Sequence, residues 1–254
     1  MKINFPGDWQ QEPWYNGTRH IFSIDGVKAW IVEPHHPVGD GRWTWCLIWP
    51  EAFVQRVGVP DLLDRGFYHA HIEAHSTYAT PDKGMPLLRK FYQQCVDLGL
   101  SRKANLMGLS WGGFFSLRFA SENPEKIACI YLDAPLCNMA DGSTVALADA
   151  HRVLQEAYHL SNEEMLTSPL NPINALKTIA EAGVPIFATT GEDDLVVPVQ
   201  NHINIVEERF LALGGKIVIC RRKSWGHHPH GLDDRNELIA FMVANAGKYC
   251  QARD

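Results

Sequence analysis

Residues 103–123 read KANLMGLSWGGFFSLRFASEN, and their interpretation decides the fold. The first half is a short apolar run bounded by polar residues, as in a buried β-strand. The second half has the length and composition of a helix, stopped where Asn123 meets Pro124. Gly108, Ser110 and Gly112 stand at the junction and spell G-x-S-x-G. In a strand-turn-helix setting this pattern makes a sharp turn that exposes the serine hydroxyl, and the glycines are needed because a Cβ would clash.

Working outward, strand-like and helix-like segments alternate. HIFSIDGVKAWIVEP predicts a hairpin turning at Asp25-Gly26, and WTWCLIW (43–49) a strand apolar on both faces. FYHAHIEA, KIACIYLDAP, VPIFATTGEDD and KIVICRRKSWGHH predict further strands. MPLLRKFYQQCVDLGL, VQNHINIVEERFLALGG and NELIAFMVANAGK predict helices. The expected fold is α/β: a doubly wound, mostly parallel sheet with antiparallel N-terminal edge strands. Residues 136–182 break the rhythm with two expected helices, the second opened by a capping box of Ser161 and Glu164. They are expected to form a short helical lid within a single domain spanning 1–254, over the strand ends where such sheets bind ligands.

Composition narrows the function. The chain has 254 residues, 46% hydrophobic and 20% charged, with net charge −6. That balance suits an ordinary globular protein and argues against a nucleic-acid partner. No apolar run is long enough to span a membrane, and the N-terminus shows no signal peptide. Six scattered cysteines in mostly apolar runs read as reduced core residues. The expected location is cytoplasmic, or periplasmic or secreted where a leader has been removed. Nothing in the sequence bears on oligomeric state.

A serine hydroxyl needs a base, and the base an orienting carboxylate. GEDDLVVP (191–198) and SWGHHPHGL (224–232) follow two predicted strands and supply them in the order serine, acid, histidine. That order, with the elbow motif, resembles the α/β-hydrolase superfamily, especially its small esterase-like and prolyl-oligopeptidase-like members. GLSWGGFFSLRFASENPEKIACIYLDAPLC, NPINALKTIAEAGVPIF and GHHPHGL are similar to a group of hydrolases from polysaccharide-degrading bacteria. The resemblance covers roughly residues 43–245.

The resemblance implies Ser110 as nucleophile. It implies Asp194 as acid, because the superfamily's acid stands three residues after a glycine and four before a proline; Asp133 and Asp193 are the alternatives. It implies His227 as base, because that histidine usually follows a glycine directly, ahead of His228 and His230. One oxyanion donor is expected to be the Trp111 amide at a helix start. The other comes from WPEAF (49–53), where Pro50 has no N–H, leaving Trp49, Glu51 or Ala52; Glu51 is preferred. Here the sequence departs from the familiar His-Gly oxyanion motif. Trp49 and Trp225 adjoin these loops as candidate substrate contacts.

His69, His71 and His75, and the His227–His230 group, also raise a metal site. Neither cluster has a recognised ligand set, so no metal and no cofactor is expected. The plainer view is that His228 and His230 rigidify their loop and His69 and His71 are hydrogen-bonded within the fold. The reading is a serine esterase acting on a small or oligosaccharide ester, carrying an acetyl, methyl or feruloyl group. The alternatives are a small-peptide serine peptidase and a non-catalytic binding protein of the same fold.

Overall fold

The computed structural model describes residues 3–247. β1 (Gln10–Trp14), β2 (Gly17–Ile24) and β3 (Val27–Pro34) pair antiparallel. The hairpin between β2 and β3 has positive φ at both Asp25 (51°) and Gly26 (80°), the mirror-image turn whose twist matches its strands. β1 is absent from the sequence reading. Gln10, Gln11 and Pro13 are exposed, so it shows no apolar alternation, and an edge is where a strand tolerates proline.

The rest alternates: β4 (Trp43–Cys46), α1 (Val59–Leu63), β5 (Tyr68–Ile72), α2 (Gly84–Asp97), β6 (Ala104–Leu109), α3 (Trp111–Glu122) and β7 (Ile127–Asp133). α4 (Val145–Tyr158), α5 (Asn162–Thr167), α6 (Leu176–Glu181), β8 (Ile186–Gly191), α7 (Ile203–Ala212), β9 (Ile217–Arg222) and α8 (Asn236–Ala244) complete it. The sheet runs β1-β2-β3-β5-β4-β6-β7-β8-β9, parallel from β5 to β9. The architecture is a mostly parallel, helix-flanked sheet with an antiparallel N-terminal edge.

Period-2 alternation assigns each strand's side chains to two cores. Trp43, Trp45, Leu106, Ile130 and Ala188 join Phe91, Phe115 and Phe119 of α2 and α3 in one cluster. Cys46, Met107, Leu109, Tyr131 and Phe187 join Leu62 of α1 and Leu238 and Met242 of α8 in the other. Cys46, Cys95, Cys129 and Cys137 are buried free thiols and Cys220 is partly so; Cys250 lies outside the described residues. Burial pushes the Cys46 thiol up to about 12, which makes it a core hydrophobe rather than a nucleophile. Among the described residues no helix is long and apolar enough to cross a membrane.

Three further elements differ from the sequence expectation. The strand expected over 43–49 ends at Cys46, because the chain turns at Trp49 (φ 62°) before Pro50. The helix expected from Val199 is broken at His202, whose Nδ1 accepts from the Cys137 and Asn138 amides at 3.0 and 3.1 Å. Its Nε2 then faces Asp141 Oδ2 at 3.1 Å, so this imidazole ties two loops together. Between residues 136 and 182 the structure also adds α6, which neither capping nor periodicity announced.

The two helices read in that segment are α4 and α5. Ser161 Oγ accepts from the Glu164 amide at 3.3 Å while the Glu164 carboxylate accepts from the Ser161 amide at 2.7 Å, closing the capping box. Leu147, Leu154, Tyr158 and Met165 of α4 and α5 are buried in the same core as α3. Tyr158 Oη lies 2.9 Å from the carbonyls of both Tyr78 and Ala79, and Thr144 Oγ1 donates to the Val196 carbonyl at 2.9 Å. The segment therefore bridges the loop after β5 to the loop after β8.

Candidate active site

Ser110 sits between β6 and α3 with φ 49° and ψ −114°, a strained conformation for a residue with a side chain. Its amide donates to the Asp133 carbonyl, and its carbonyl accepts from the Leu136 and Gly113 amides, each at 2.9 Å. The glycines permit the turn by close approach. A Cβ on Gly108 would lie 2.6 Å from both the Gly112 carbonyl and Ser116 Oγ, and one on Gly113 would lie 2.3 Å from Pro135 Cβ.

Two distant loops converge on this turn. His227 Nε2 is 3.1 Å from Ser110 Oγ, and His227 Nδ1 is 2.7 Å from Asp194 Oδ2. Since a carboxylate only accepts, the proton lies on Nδ1 and the Nε2 lone pair faces the hydroxyl. Such a chain can strip a proton from the serine as it attacks, and stabilise the imidazolium that results. Asp194 Oδ1 accepts from the Val196 and Val197 amides at 2.9 and 2.8 Å. Burial pushes this carboxyl up, but the His227 and amide hydrogen bonds outweigh it and hold the group below the ordinary carboxylate range.

The remaining candidates fall as follows. Asp193 is exposed, and its amide donates to the Trp225 carbonyl at 3.0 Å. Asp133 is fully buried and serves a second histidine: Oδ1 lies 2.7 Å from His230 Nδ1, and Oδ2 accepts from the Gly231 amide at 2.8 Å and Tyr131 Oη at 2.5 Å. The two carboxylates thus divide between two histidines. The sequence grouped His230 with the loop, but the Asp133–His230 pairing was not legible. A buried acid at the end of β7 is its one signal.

The Trp111 amide begins α3, where helix N–H groups lack intrahelical partners. In the loop after β4, the Ala52 amide donates to the Trp49 carbonyl at 3.0 Å, leaving the Trp49 and Glu51 amides without an acceptor among the described residues. The Glu51 side chain accepts from Trp14 Nε1 at 3.1 Å and pairs with Arg19, anchoring this loop to β1 and β2. A Cβ on Gly112 would stand 3.6 Å from the Ile48 carbonyl, so the loop packs directly against the start of α3.

Trp49 is 43% exposed and its ring centroid is 5.1 Å from that of His75, which stands 5.8 Å from Trp111. Tyr78 lies 5.9 Å from Trp111 and completes an aromatic wall. Trp225 is placed differently. Its Nε1 donates to the Pro229 carbonyl at 3.1 Å and Arg222 lies over its ring at 4.7 Å, so it buttresses the histidine loop. His69 Nδ1 is 2.7 Å from Thr44 Oγ1 and His71 Nδ1 is 2.8 Å from the Cys46 carbonyl, both in the core. Burial holds them low, at about 3 and about 4.

A family model described as alpha/beta hydrolase fold matches residues 45–157. No curated protein matches the chain in sequence. An S-formylglutathione hydrolase from Agrobacterium tumefaciens is similar in structure, with TM-score 0.65 at 14% identity over 92% of this chain and 95% of that one. Est1E from Butyrivibrio proteoclasticus gives 0.62 at 14% identity, over 90% and 98%. An acylaminoacyl peptidase from Pyrococcus horikoshii gives 0.64 at 12% identity, over 97% of this chain but 43% of that one. With its sheet order, its antiparallel edge and its strained turn after β6, the chain has the α/β-hydrolase fold.

Proposed function

We propose that the protein is a serine hydrolase cleaving a small carboxylic ester, with Ser110 as nucleophile, His227 as base and Asp194 as its orienting acid. The reading rests on the hydrogen-bonded chain from Ser110 Oγ through His227 to Asp194, at 3.1 and 2.7 Å. His227 Nε2 takes the Ser110 proton as Oγ bonds to the ester carbonyl carbon. The oxyanion accepts from the Trp111 amide and from that of Trp49 or Glu51. The intermediate collapses, the alkoxide leaves with the proton from His227, and the acyl group stays on Ser110. A water then gives its proton to His227, attacks the acyl carbon and releases the acid as the proton returns to Ser110.

A carbohydrate-linked ester is the preferred substrate. The aromatic wall of Trp49, His75, Tyr78 and Trp111 offers ring faces beside the nucleophile, and such faces pack on sugar rings and aromatic acyl groups. The second reading, a small-peptide peptidase, draws on the similarity to the acylaminoacyl peptidase and uses the same three residues.

The test has two steps. A fluorophosphonate probe should label Ser110 in the wild type and not in H227A. A turnover screen over nitrophenyl esters, acetylated sugars, methyl-esterified uronides, feruloyl esters and short peptide amides then assigns the class. No labelling overturns the hydrolase reading, and turnover of the peptides alone overturns the ester.

A further inference from the structure

His227, His228 and His230 each offer a ring nitrogen within 4.8 Å of those of the other two. Their ring centroids form a near-equilateral triangle of 4.8, 4.9 and 4.8 Å. Two of the three rings are already held as metal ligands usually are. Histidines that bind metals donate the other ring N–H to a carboxylate, which fixes the tautomer and leaves a basic nitrogen for the ion. His227 gives Nδ1–H to Asp194 and His230 gives Nδ1–H to Asp133, both at 2.7 Å. Their remaining atoms, Nε2 in each case, carry lone pairs. Asp133 is itself locked by the Gly231 amide and the Tyr131 hydroxyl, so His230 has little freedom to turn away.

His228 completes the set from outside. It is exposed and stacks loosely on Phe53, with centroids 5.8 Å apart, so its ring can swing while the other two stay fixed. Tetrahedral ligands at zinc–nitrogen distances of ~2.05 Å stand ~3.3 Å apart, so one ring nitrogen from each histidine, all lying within 4.8 Å of one another, would close by about 1.5 Å at most per pair. Ser110 Oγ, 3.1 Å from His227 Nε2, or a water supplies the fourth position. Three neutral nitrogen donors select zinc and its neighbours over magnesium or calcium.

We propose that these three imidazoles form an inhibitory zinc site sharing its central ligand with the catalytic base. Zinc on His227 Nε2 occupies the lone pair that otherwise takes the Ser110 proton. The metal-loaded protein is therefore inactive, and removing the ion restores it. The inhibitory half of this inference rests on the serine hydrolase reading; the binding half does not.

The experiment titrates zinc chloride into metal-free protein by calorimetry, and follows fluorophosphonate labelling with zinc and again after EDTA. One zinc per chain is expected, with labelling slowed about tenfold or more and recovered by the chelator. Loss of an exposed ligand in H228A should weaken zinc binding by about 10- to 100-fold, and shift the inhibitory concentration to match. Cobalt in place of zinc should give the visible absorption of a four-coordinate ion in the wild type and lose it in H228A. Failure to bind, binding unchanged in H228A, or binding that leaves labelling untouched overturns the proposal. If metal-free protein is never labelled, the hydrolase reading fails, and calorimetry of wild type against H228A still decides the metal site.

Discussion

Replacing Asp194 by Asn tests the orienting role of the acid, and the structure dictates how the new side chain sits. Asp194 Oδ1 accepts from two backbone amides, at 2.9 and 2.8 Å, and only the amide oxygen of Asn can do the same. The NH2 group must then occupy the Oδ2 position, 2.7 Å from His227 Nδ1. It donates there, so the proton moves to Nε2, which now points an N–H at Ser110 instead of a lone pair. Returning to the working tautomer sets two donors face to face. The cost combines a lost charge-assisted bond, ~1.5–3 kcal/mol, with a buried unpaired donor, ~1–3 kcal/mol. That sum of roughly 2.5–6 kcal/mol brackets the ~10⁴-fold loss, about 5.4 kcal/mol, seen for this change in triads generally. The assay is the second-order rate of fluorophosphonate labelling, with urea unfolding as control, because Asn preserves the two amide contacts. D194N labelled within about tenfold of wild type refutes the reasoning. D133N is the companion: its partners are His230, Gly231 and Tyr131, so about 1–3 kcal/mol of stability should be lost with a far smaller fall in labelling. The reverse pattern would transfer the acid's role to Asp133.

Other predictions are equally direct. S110A should lower kcat on any substrate found by a factor on the order of 10⁶, and a residual rate within tenfold of wild type would exclude Ser110 as nucleophile. G191A would place a Cβ 2.2 Å from the Trp225 carbonyl and 2.4 Å from that of Gly226, backbone atoms that yield only if the histidine loop moves. A shift of this loop by about 1 Å should cost ~10²-fold in kcat and ~1–3 kcal/mol in stability; unchanged kinetics would show that the loop position is irrelevant. His69 and His71 are held at about 3 and about 4 when folded, against ~6.5 unfolded. The unfolded chain therefore binds more protons below pH 6.5, and stability is lost as pH drops through this range, by up to ~1.4 kcal/mol per pH unit for each histidine. The carboxylates of Asp141 and Asp194 are held low and titrate beneath this window. Urea midpoints at pH 7.5 and 5.0 measure the effect, and equal midpoints would contradict the burial of these rings.

Local chemistry made much of this chain readable in one dimension. The alternation of apolar runs and helical periods specifies a layered α/β sheet, because burial on both faces leaves no other stable arrangement of such segments. The glycines around Ser110 announce the turn, since only residues without a Cβ fit where 2.6 Å separates that position from a carbonyl. Within GEDDLVVP it was the resemblance to the α/β-hydrolase superfamily, through its glycine-to-acid-to-proline spacing, that favoured Asp194 over its neighbour Asp193. What spacing could not decide was any pairing across the fold. Two buried carboxylates, on β7 and after β8, face two histidines three residues apart, and which acid meets which ring depends on how the last loop crosses the sheet. The edge strand β1 and the break at His202 were hidden for the same reason. Their causes are partners far along the chain: β2 for one, the Cys137 and Asn138 amides for the other. Periodicity reports which face of an element is buried; only the packed structure supplies what lies against it.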